Sequence, residues 1–161
     1  MRKVFFSILP LLILVLFISY TDVFAKGRKA PKLKLKSLDG EVVSYKDLMG
    51  KPTVLVFWAV NCHSCKDELP KLNKLYEEYK DEVNFYAVVV NVNDLDEVRK
   101  TKEQWGFKMP VLIGTPETIY RFRIIGTPIT YVITPEWRIY KQYIGKTDLK
   151  KLEKVLEDLD P

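Results

Sequence analysis

Two runs of apolar, β-branched residues indicate where the interior of the fold lies. Residues 53–59 read TVLVFWA and residues 83–92 read VNFYAVVVNV. Continuous apolar runs of this length are typical of strands that are buried on both faces of a sheet. The segment KLKLK at residues 32–36 instead alternates with period two and predicts a strand with one exposed face. Asp-Gly at residues 39–40 predicts a hairpin turn, from which the chain returns along residues 41–44.

Apolar residues that recur at spacings of three and four predict helices between the strands. The predicted helices cover residues 45–49, 62–80, 94–105, 116–122 and 147–159, and shorter strands are predicted at residues 111–113, 129–134 and 137–144. Pro70 lies inside the second helix and is expected to kink it, because proline removes one backbone donor. Strands that alternate with helices, followed by a closing hairpin and helix, predict an α/β fold built on a mixed sheet.

The N-terminal residues do not follow this alternation. Two basic residues precede an apolar run over residues 4–20, and Ala25 completes a small-residue pattern typical of a cleavage site. The run is also nearly long enough to span a bilayer as an uncleaved anchor. We therefore predict a signal peptide or membrane anchor at residues 1–25 and a single domain at residues 26–161. The expected location of that domain is periplasmic or otherwise extracytoplasmic, although the basic residues that follow the run would favour the cytoplasmic side for an uncleaved anchor.

The charge balance of the chain is mildly basic. There are 26 lysine and arginine residues against 21 aspartate and glutamate residues, which gives a net charge of +5. A small excess that is spread along the whole chain is typical of a solvated surface rather than of a nucleic-acid-binding face. We predict no nucleic-acid partner.

The segment WAVNCHSCKDELP at residues 58–70 contains the only cysteines of the chain, Cys62 and Cys65, with its only histidine, His63, between them. The predicted helix begins at Cys62, with Asn61 as a candidate cap. Unpaired N–H groups and the helix dipole at that end stabilise a thiolate, which is the attacking species in disulfide exchange. Cys65, one turn later, is expected to be more buried and to resolve the mixed disulfide. His63 either favours the thiolate by its charge or is an exposed bystander.

Other chemistries fit this cysteine pair less well. Structural zinc requires about four ligands, and haem attachment requires a histidine directly after the second cysteine, where Lys66 stands. A disulfide across two residues closes too short a loop to contribute much stability, so an inert structural disulfide is a weak alternative. Two thiolates can hold copper, so a copper or haem carrier is the alternative from another class. The redox interpretation requires no metal and no cofactor.

Taken together, WAVNCHSC, Glu68, Pro70 and Gly-Thr-Pro at residues 126–128 resemble the thioredoxin superfamily. Over residues 30–160 the chain is similar to the exported TlpA/ResA-like branch of thiol-disulfide oxidoreductases. The resemblance implies a thioredoxin-like fold, in which a mixed central β-sheet is flanked by helices and extended by an N-terminal β-hairpin.

The resemblance also implies roles for individual residues. Pro128 is expected to be a cis-proline facing the cysteines, and Thr127 is expected to hold a client strand through its backbone. Trp58 is expected to pack beside the site and to take part in substrate binding. Glu68 is expected to lie on the Cys65 face of the helix with a raised pKa and to exchange a proton with the Cys65 thiol. A solvated carboxylate is the alternative for Glu68.

The predicted function is that of an exported or membrane-anchored oxidoreductase that reduces protein disulfides. Apocytochrome c is an example of the expected client, and a thiol donor, for example a membrane protein, is expected to return electrons to the pair. Between the cysteines stands His-Ser, where many members of the family carry a proline. This dipeptide tunes the reduction potential, so the direction of electron flow stays open at this point.

Overall fold

The computed structural model of the protein describes residues 27–159. Residues 1–26 and 160–161 lie outside the described residues, and the predicted signal peptide or anchor lies among them. Within the described part of the chain, no helix has the length and apolar content needed to cross a membrane.

Seven strands of the described chain form one sheet. They are β1 (Lys34–Ser37), β2 (Val42–Ser44), β3 (Thr53–Trp58), β4 (Asn84–Val89), β5 (Val111–Ile113), β6 (Ile129–Ile133) and β7 (Ile139–Ile144). The strand order is β2-β1-β5-β4-β3-β6-β7. The pairs β3–β4 and β4–β5 are parallel, and all the other pairs are antiparallel. The predicted mixed sheet and the N-terminal hairpin are therefore confirmed.

The hairpin at the start of the sheet has the turn chemistry that the sequence predicts. Leu35 pairs with Val43 across β1 and β2, and the Ser37 N–H donates to the Glu41 carbonyl at 2.8 Å. Gly40 has a φ of +87°, a backbone conformation that glycine adopts at no steric cost. The hairpin joins the sheet through β5, so it extends the sheet on the side away from β7.

Strand β3 is buried on both faces, as its apolar run predicts. Alternate residues of β3 point to two core clusters on opposite sides of the sheet. The first cluster contains Val54, Val56 and Trp58, and the second contains Leu55 and Phe57. Since neither face of β3 reaches solvent, the end of this strand is held rigidly where the cysteine segment begins.

Six helices cover the two faces of the sheet in the described chain. They are α1 (Tyr45–Leu48), α2 (His63–Glu68), α3 (Asn73–Tyr79), α4 (Leu95–Trp105), α5 (Pro116–Arg121) and α6 (Leu149–Leu159). Helix α4 ends at Trp105 as predicted and begins one residue after the predicted start. Asp94 caps its first turn by accepting from the Asp96 N–H at 2.8 Å, and Gly106 ends it at a φ of +67°.

The predicted single helix over residues 62–80 is wrong in its continuity. The structure divides it into α2 and α3, with Pro70 in the segment between them. Proline cannot donate to the carbonyl four residues earlier, and its ring crowds that carbonyl, so the ladder is interrupted rather than bent. The result is a short α2 that contains Cys65 and is preceded directly by Cys62.

Strand β7 and the C-terminal helix both begin two residues later than predicted. Strand β7 begins at Ile139 and not at residue 137, because Trp137 has a φ of +63° and lies in the turn after β6. The C-terminal helix begins at Leu149, and Thr147 belongs to the preceding loop. The side chain of Asp148 accepts from the N–H of Lys150 at 3.1 Å at the start of this helix.

The first described residues lie beside the turn between β6 and β7. Lys29 forms an isolated antiparallel bridge with Arg138. The Ala30 N–H donates to the Trp137 carbonyl at 3.0 Å, and Trp137 Nε1 donates to the Pro31 carbonyl at 3.1 Å. These contacts attach residues 27–31 to the end of the sheet at which β6 finishes and β7 begins.

Candidate active site

Cys62 and Cys65 form a disulfide at the start of α2. Strand β3 ends at Trp58, and the Cys62 N–H donates back to the Ala59 carbonyl at 3.0 Å, which closes a tight turn between strand and helix. The Cα atoms of the two cysteines are 5.2 Å apart. The disulfide therefore lies at the carboxyl end of the central strand, which is where open α/β sheets place their chemistry.

The two sulfurs of this disulfide lie in different environments. Cys65 has no exposed surface, whereas Cys62 is half-buried and packs against both core clusters. Cys62 is the N-cap residue of α2, and its Sγ accepts from the Cys65 N–H at 3.2 Å. The expectation that Cys65 is the more buried cysteine is confirmed. Asn61 was the wrong cap, because the chain enters the helix one residue later.

Glu68 is buried on α2, three residues after Cys65. Only 3% of its surface is exposed. Its Oε1 accepts from the Thr147 hydroxyl at 2.7 Å, and its Oε2 accepts from the Thr147 N–H at 3.2 Å. Burial raises the pKa of Glu68 above its ordinary value of 4.5, against the hydrogen bonds from Thr147, which favour the charged form. Glu68 is thus a buried carboxyl that protonates more readily than a solvated one.

Thr147 and Thr130 are partners of the site that the sequence did not reveal. Both are buried, and their hydroxyl oxygens lie 3.1 Å apart. Thr130 comes from β6 and Thr147 from the loop before α6, so the carboxyl of Glu68 is enclosed by two distant segments. A threonine directly before the C-terminal helix is the only sequence signal for this contact, and it does not indicate a partner 79 residues away.

Asp67, next to Glu68, faces the surface. Its Oδ2 accepts from Lys146 Nζ at 2.9 Å. This hydrogen bond, together with the charge of Lys146, lowers the pKa of Asp67 below its ordinary value of 3.8, and His63 adds weakly in the same direction. His63 is exposed. Its link within residues 27–159 is this weak electrostatic effect on the carboxylate of Asp67.

The peptide bond between Thr127 and Pro128 is cis. Phe57 pairs with Ile129 across β3 and β6, so the register places Pro128 level with Trp58, at the end of the sheet that carries the disulfide. The Pro128 carbonyl accepts from the Gly145 N–H at 2.9 Å. Thr127 is partly exposed, and its backbone makes no hydrogen bond to another described residue.

Trp58 lies entirely inside the first core cluster. It has no exposed surface, and its ring centroid lies 5.4 Å from that of Trp105 and 5.2 Å from that of Phe107. Its Nε1 is buried and has no hydrogen-bond partner among the described residues. In this geometry Trp58 has no surface to offer a substrate, and its contribution to the site is to support the end of β3.

Acidic, histidine and cysteine side chains do not form metal clusters in this part of the chain. Among residues 27–159, no group of three or more such side chains lies close enough to hold a metal ion. The reactive groups that the site offers from its own residues are the Cys62–Cys65 disulfide and the buried carboxyl of Glu68.

A redox disulfide at the helix start after the central strand, with a cis-proline beside it, defines a thiol-disulfide oxidoreductase of thioredoxin-like fold. The thioredoxin domain of a thiol-disulfide oxidoreductase from Bacteroides vulgatus is similar, with a TM-score of 0.73 and 26% sequence identity. That match covers 82% of this chain and 98% of the other. The predicted fold and the predicted enzyme class are confirmed.

The chain belongs to the AhpC/TSA family, whose model matches residues 26–142. It is 31% identical to thiol-disulfide oxidoreductase ResA from Bacillus thuringiensis (strain Al Hakam), over 99% of this chain and 98% of that protein. It is also 32% identical to thioredoxin-like protein YneN from Bacillus subtilis (strain 168), over 84% of this chain and 80% of that protein. The resemblance to ResA-like oxidoreductases that the sequence motifs indicate is therefore confirmed.

Proposed function

We propose that this protein reduces disulfides of client proteins outside the cytoplasm, and that its N-terminal segment directs it there. The observation that carries this proposal is the pairing of a half-buried Cys62 with a fully buried Cys65 and a buried Glu68 on one short helix. An inert disulfide needs neither a helix N-terminus at one sulfur nor a buried carboxyl three residues after the other on the same helix.

Cys62 is the attacking residue in this proposal. In the reduced protein its thiolate is stabilised by the helix N-terminus and by the Cys65 N–H, which points at Sγ in the disulfide form. The thiolate attacks one sulfur of the client disulfide, and the other client sulfur leaves as a thiolate and takes a proton from solvent. The product is a mixed disulfide between Cys62 and the client.

Cys65 and Glu68 complete the reaction. The carboxylate of Glu68 accepts the proton of the Cys65 thiol, directly or through a water molecule, and the resulting thiolate attacks Cys62 Sγ. The second client sulfur then leaves as a thiolate and is protonated. Two electrons have passed to the client, and the pair is left as the disulfide described above. The raised pKa of Glu68 supports this role, because a proton acceptor works best when its pKa approaches the working pH.

The loop at Thr127 and Pro128 is proposed to hold the client. Pro128 has no N–H, and its carbonyl is occupied by Gly145. The free backbone N–H and carbonyl of Thr127 can therefore pair with an extended client segment beside Cys62, in the manner of an added β-strand. Trp58, which is buried in the first core cluster, supports this site by fixing the end of β3.

We propose a thiol protein, for example one in the membrane, as the electron donor, and apocytochrome c as one client. The support for thiol-disulfide exchange with such partners is the similarity to thiol-disulfide oxidoreductase ResA. A C-terminal reporter fusion tests the location. Activity of an extracytoplasmic reporter is expected, and a fusion active only in the cytoplasm would contradict export.

The direct test of the mechanism is a trapping experiment in the full chain. Reduced Cys65→Ser is expected to accumulate a mixed disulfide between Cys62 and its client, which mass spectrometry identifies, whereas Cys62→Ser is expected to trap nothing. Full activity of Cys62→Ser in protein-disulfide reduction would contradict the assignment. Tight stoichiometric copper binding by the reduced chain, with slow disulfide exchange, would favour a carrier instead.

The direction of electron flow is tested by the reduction potential. A reductant is expected to have a standard reduction potential at or below about −200 mV, measured by equilibration with reduced and oxidised glutathione. A value near about −120 mV, typical of strong thiol oxidants, would reverse the proposed direction.

A further inference from the structure

An exposed apolar surface lies between α5 and the cis-proline loop. Its residues are Ile119, Tyr120, Ile124 and Ile125, and we call it the isoleucine patch. Tyr120 is 84% exposed and Ile125 is 86% exposed. Together with Asn91 and Arg123, the patch lines a groove of about 610 Å³.

The clustering of these side chains requires an explanation. Single exposed apolar residues are normal on protein surfaces. Contiguous exposed apolar residues around a groove instead mark a surface that another molecule covers. Ile119 and Ile124 anchor the patch, because their inner sides pack against the second core cluster. The patch is thus held by the fold while its outer side faces solvent.

The position of the patch connects it to the redox site. Ile125 stands three residues before the cis-proline Pro128. Asn91, on the opposite side of the groove, follows β4 at the same sheet edge, where the Val90 N–H donates to the Trp58 carbonyl at 2.8 Å. Cys62 packs against the same core cluster as Ile119 and Ile124. A client segment that lies across Thr127 and reaches Cys62 therefore passes next to the patch.

Two arginines border the patch, and they differ in their partners. Arg121 pairs with Glu117 at 2.8 Å. Arg123 is exposed and has no ion-pair partner among the described residues. Its φ is +53°, a conformation that bulky side chains rarely adopt. The loop thus keeps an unpaired cation at the rim, at a position where glycine would fit the backbone better.

We propose that the isoleucine patch and Arg123 bind the client segment that flanks the target cysteine. This inference rests on the proposed function and specifies its substrate class. The preferred client carries a large apolar side chain near its cysteine, which enters the groove, and an acidic residue that pairs with Arg123. Burial of an apolar side chain and an ion pair at the rim then add selectivity to the sequence-independent backbone pairing at Thr127.

The test uses the full reduced chain in mild detergent and four matched peptides, each with an internal disulfide. The peptides carry isoleucine or serine, combined with glutamate or lysine, beside the same cysteine, and oxidised glutathione is the small reference disulfide. The measured quantity is the second-order rate constant for oxidation of the protein by each disulfide.

The wild-type chain is expected to react about tenfold faster with the isoleucine–glutamate peptide than with the serine–lysine peptide. The double variant Tyr120→Ser/Ile125→Ser is expected to lose the preference for isoleucine, and Arg123→Gln the preference for glutamate. Both variants are expected to react with glutathione as the wild type does. Val42→Ser is the matched control, because Val42 is 50% exposed on β2, at the far edge of the sheet. It is expected to keep both preferences.

Equal wild-type rates with all four peptides, alongside normal reaction with glutathione, would overturn the inference and leave the proposed function intact. Failure to react with any disulfide would overturn both. A wild-type dimer that the double variant abolishes, seen by sedimentation, would assign the patch to a second copy of this chain and also overturn the inference.

Discussion

Two adjacent carboxyl groups on α2 have opposite environments. Asp67 lies at the surface and pairs with Lys146, and Glu68 lies in the interior and bonds to Thr147. The loop before α6 therefore donates hydrogen bonds to both carboxyls, from the consecutive residues Lys146 and Thr147. Yet the pKa of Asp67 is lowered by its cationic partner, and the pKa of Glu68 is raised by burial.

This contrast shows that a hydrogen bond alone does not decide how a carboxyl titrates. Both groups accept hydrogen bonds, and Glu68 accepts two from one residue. Successive residues of a helix point about 100° apart. Here this rotation leaves Asp67 in solvent and places Glu68 in the interior, against the loop that contains Thr147. Desolvation then outweighs the hydrogen bonds at Glu68, whereas at Asp67 nothing opposes the lysine strongly.

The largest expected effect is on catalysis at Glu68. Glu68→Gln keeps the shape and one acceptor oxygen but removes the carboxyl that we propose takes the Cys65 proton. Reduction of a protein disulfide is expected to slow about a hundredfold, at the step in which Cys65 attacks. Stopped-flow measurement of mixed-disulfide decay locates the loss.

Asp67→Asn is the matched control for that experiment, because it changes the neighbouring carboxyl in the same way. Its rate is expected to stay within about twofold of the wild type, since Asp67 is solvated and faces away from Cys65. Equal losses in both variants would mean that the interior position of Glu68 has no catalytic importance.

The next effect is on stability, through Thr147. Thr147→Val removes the hydroxyl that donates to Glu68, which leaves a buried carboxyl oxygen without that donor. Unfolding in urea at neutral pH is expected to require about 1–3 kcal/mol less. The pKa of Glu68 is expected to rise further, because the lost hydrogen bonds favour the charged form.

Thr134→Val is the control for Thr147→Val. Thr134 and Thr147 are both 9% exposed, but the Thr134 hydroxyl has no hydrogen-bond partner among the described residues. Its removal is expected to leave the unfolding free energy unchanged or to raise it slightly. A loss as large as that of Thr147→Val would show that hydroxyl burial, and not the bond to Glu68, sets the cost.

A smaller effect is the opposite pH dependence of the two carboxyls. The folded pKa of Glu68 is above its ordinary value, so its contribution to stability is complete below pH 4.5 and is lost as the pH rises through the folded pKa. The folded pKa of Asp67 is below its ordinary value, so its contribution is complete above pH 3.8 and is lost as the pH falls through the folded pKa.

Urea unfolding over a pH series measures this difference. Relative to the wild type, Glu68→Gln is expected to gain stability as the pH rises above 4.5. Asp67→Asn is expected to lose stability above pH 3.8 and to match the wild type in more acidic solution. A pH-independent difference for Glu68→Gln would contradict the raised pKa.

The smallest effect is expected from Lys146→Gln. Both members of the Lys146–Asp67 pair are exposed to solvent, so water and salt screen their attraction. The urea midpoint at neutral pH is expected to fall only slightly, by no more than in Asp67→Asn, while the pKa of Asp67, followed by NMR, moves back toward 3.8. A catalytic loss comparable to that of Glu68→Gln would mean that the two carboxyls act as one unit.

The local features of the fold were predictable because short-range chemistry determines them. The hairpin turn at Gly40, the end of α4 at Trp105 and the doubly buried β3 were all predicted and are confirmed. Pro70 was predicted to kink a single helix, whereas the structure has two separate helices, α2 and α3. Whether a proline kinks or divides a helix depends on how the two halves pack, which the local sequence does not show.

The environment of Glu68 was only partly predictable. Its position on the Cys65 face follows from helical spacing. Its partners Thr130 and Thr147 come from segments far along the chain, and no local pattern encodes their approach. Likewise, an apolar tryptophan at the end of a strand looks the same in sequence whether its ring faces a client or, as for Trp58, lies fully inside the core.

The bridge between Lys29 and Arg138 also determines where the first described residues lie relative to the disulfide. It attaches residues 27–31 at the end of the sheet where Thr53 pairs with Ile133, and the disulfide follows the other end of β3. A six-residue strand measures about 20 Å. A tether that acts through residues 27–31 would therefore hold the domain at the end of the sheet opposite the disulfide. Cys62 lies at the opposite end of β3, about one strand length from that point of attachment.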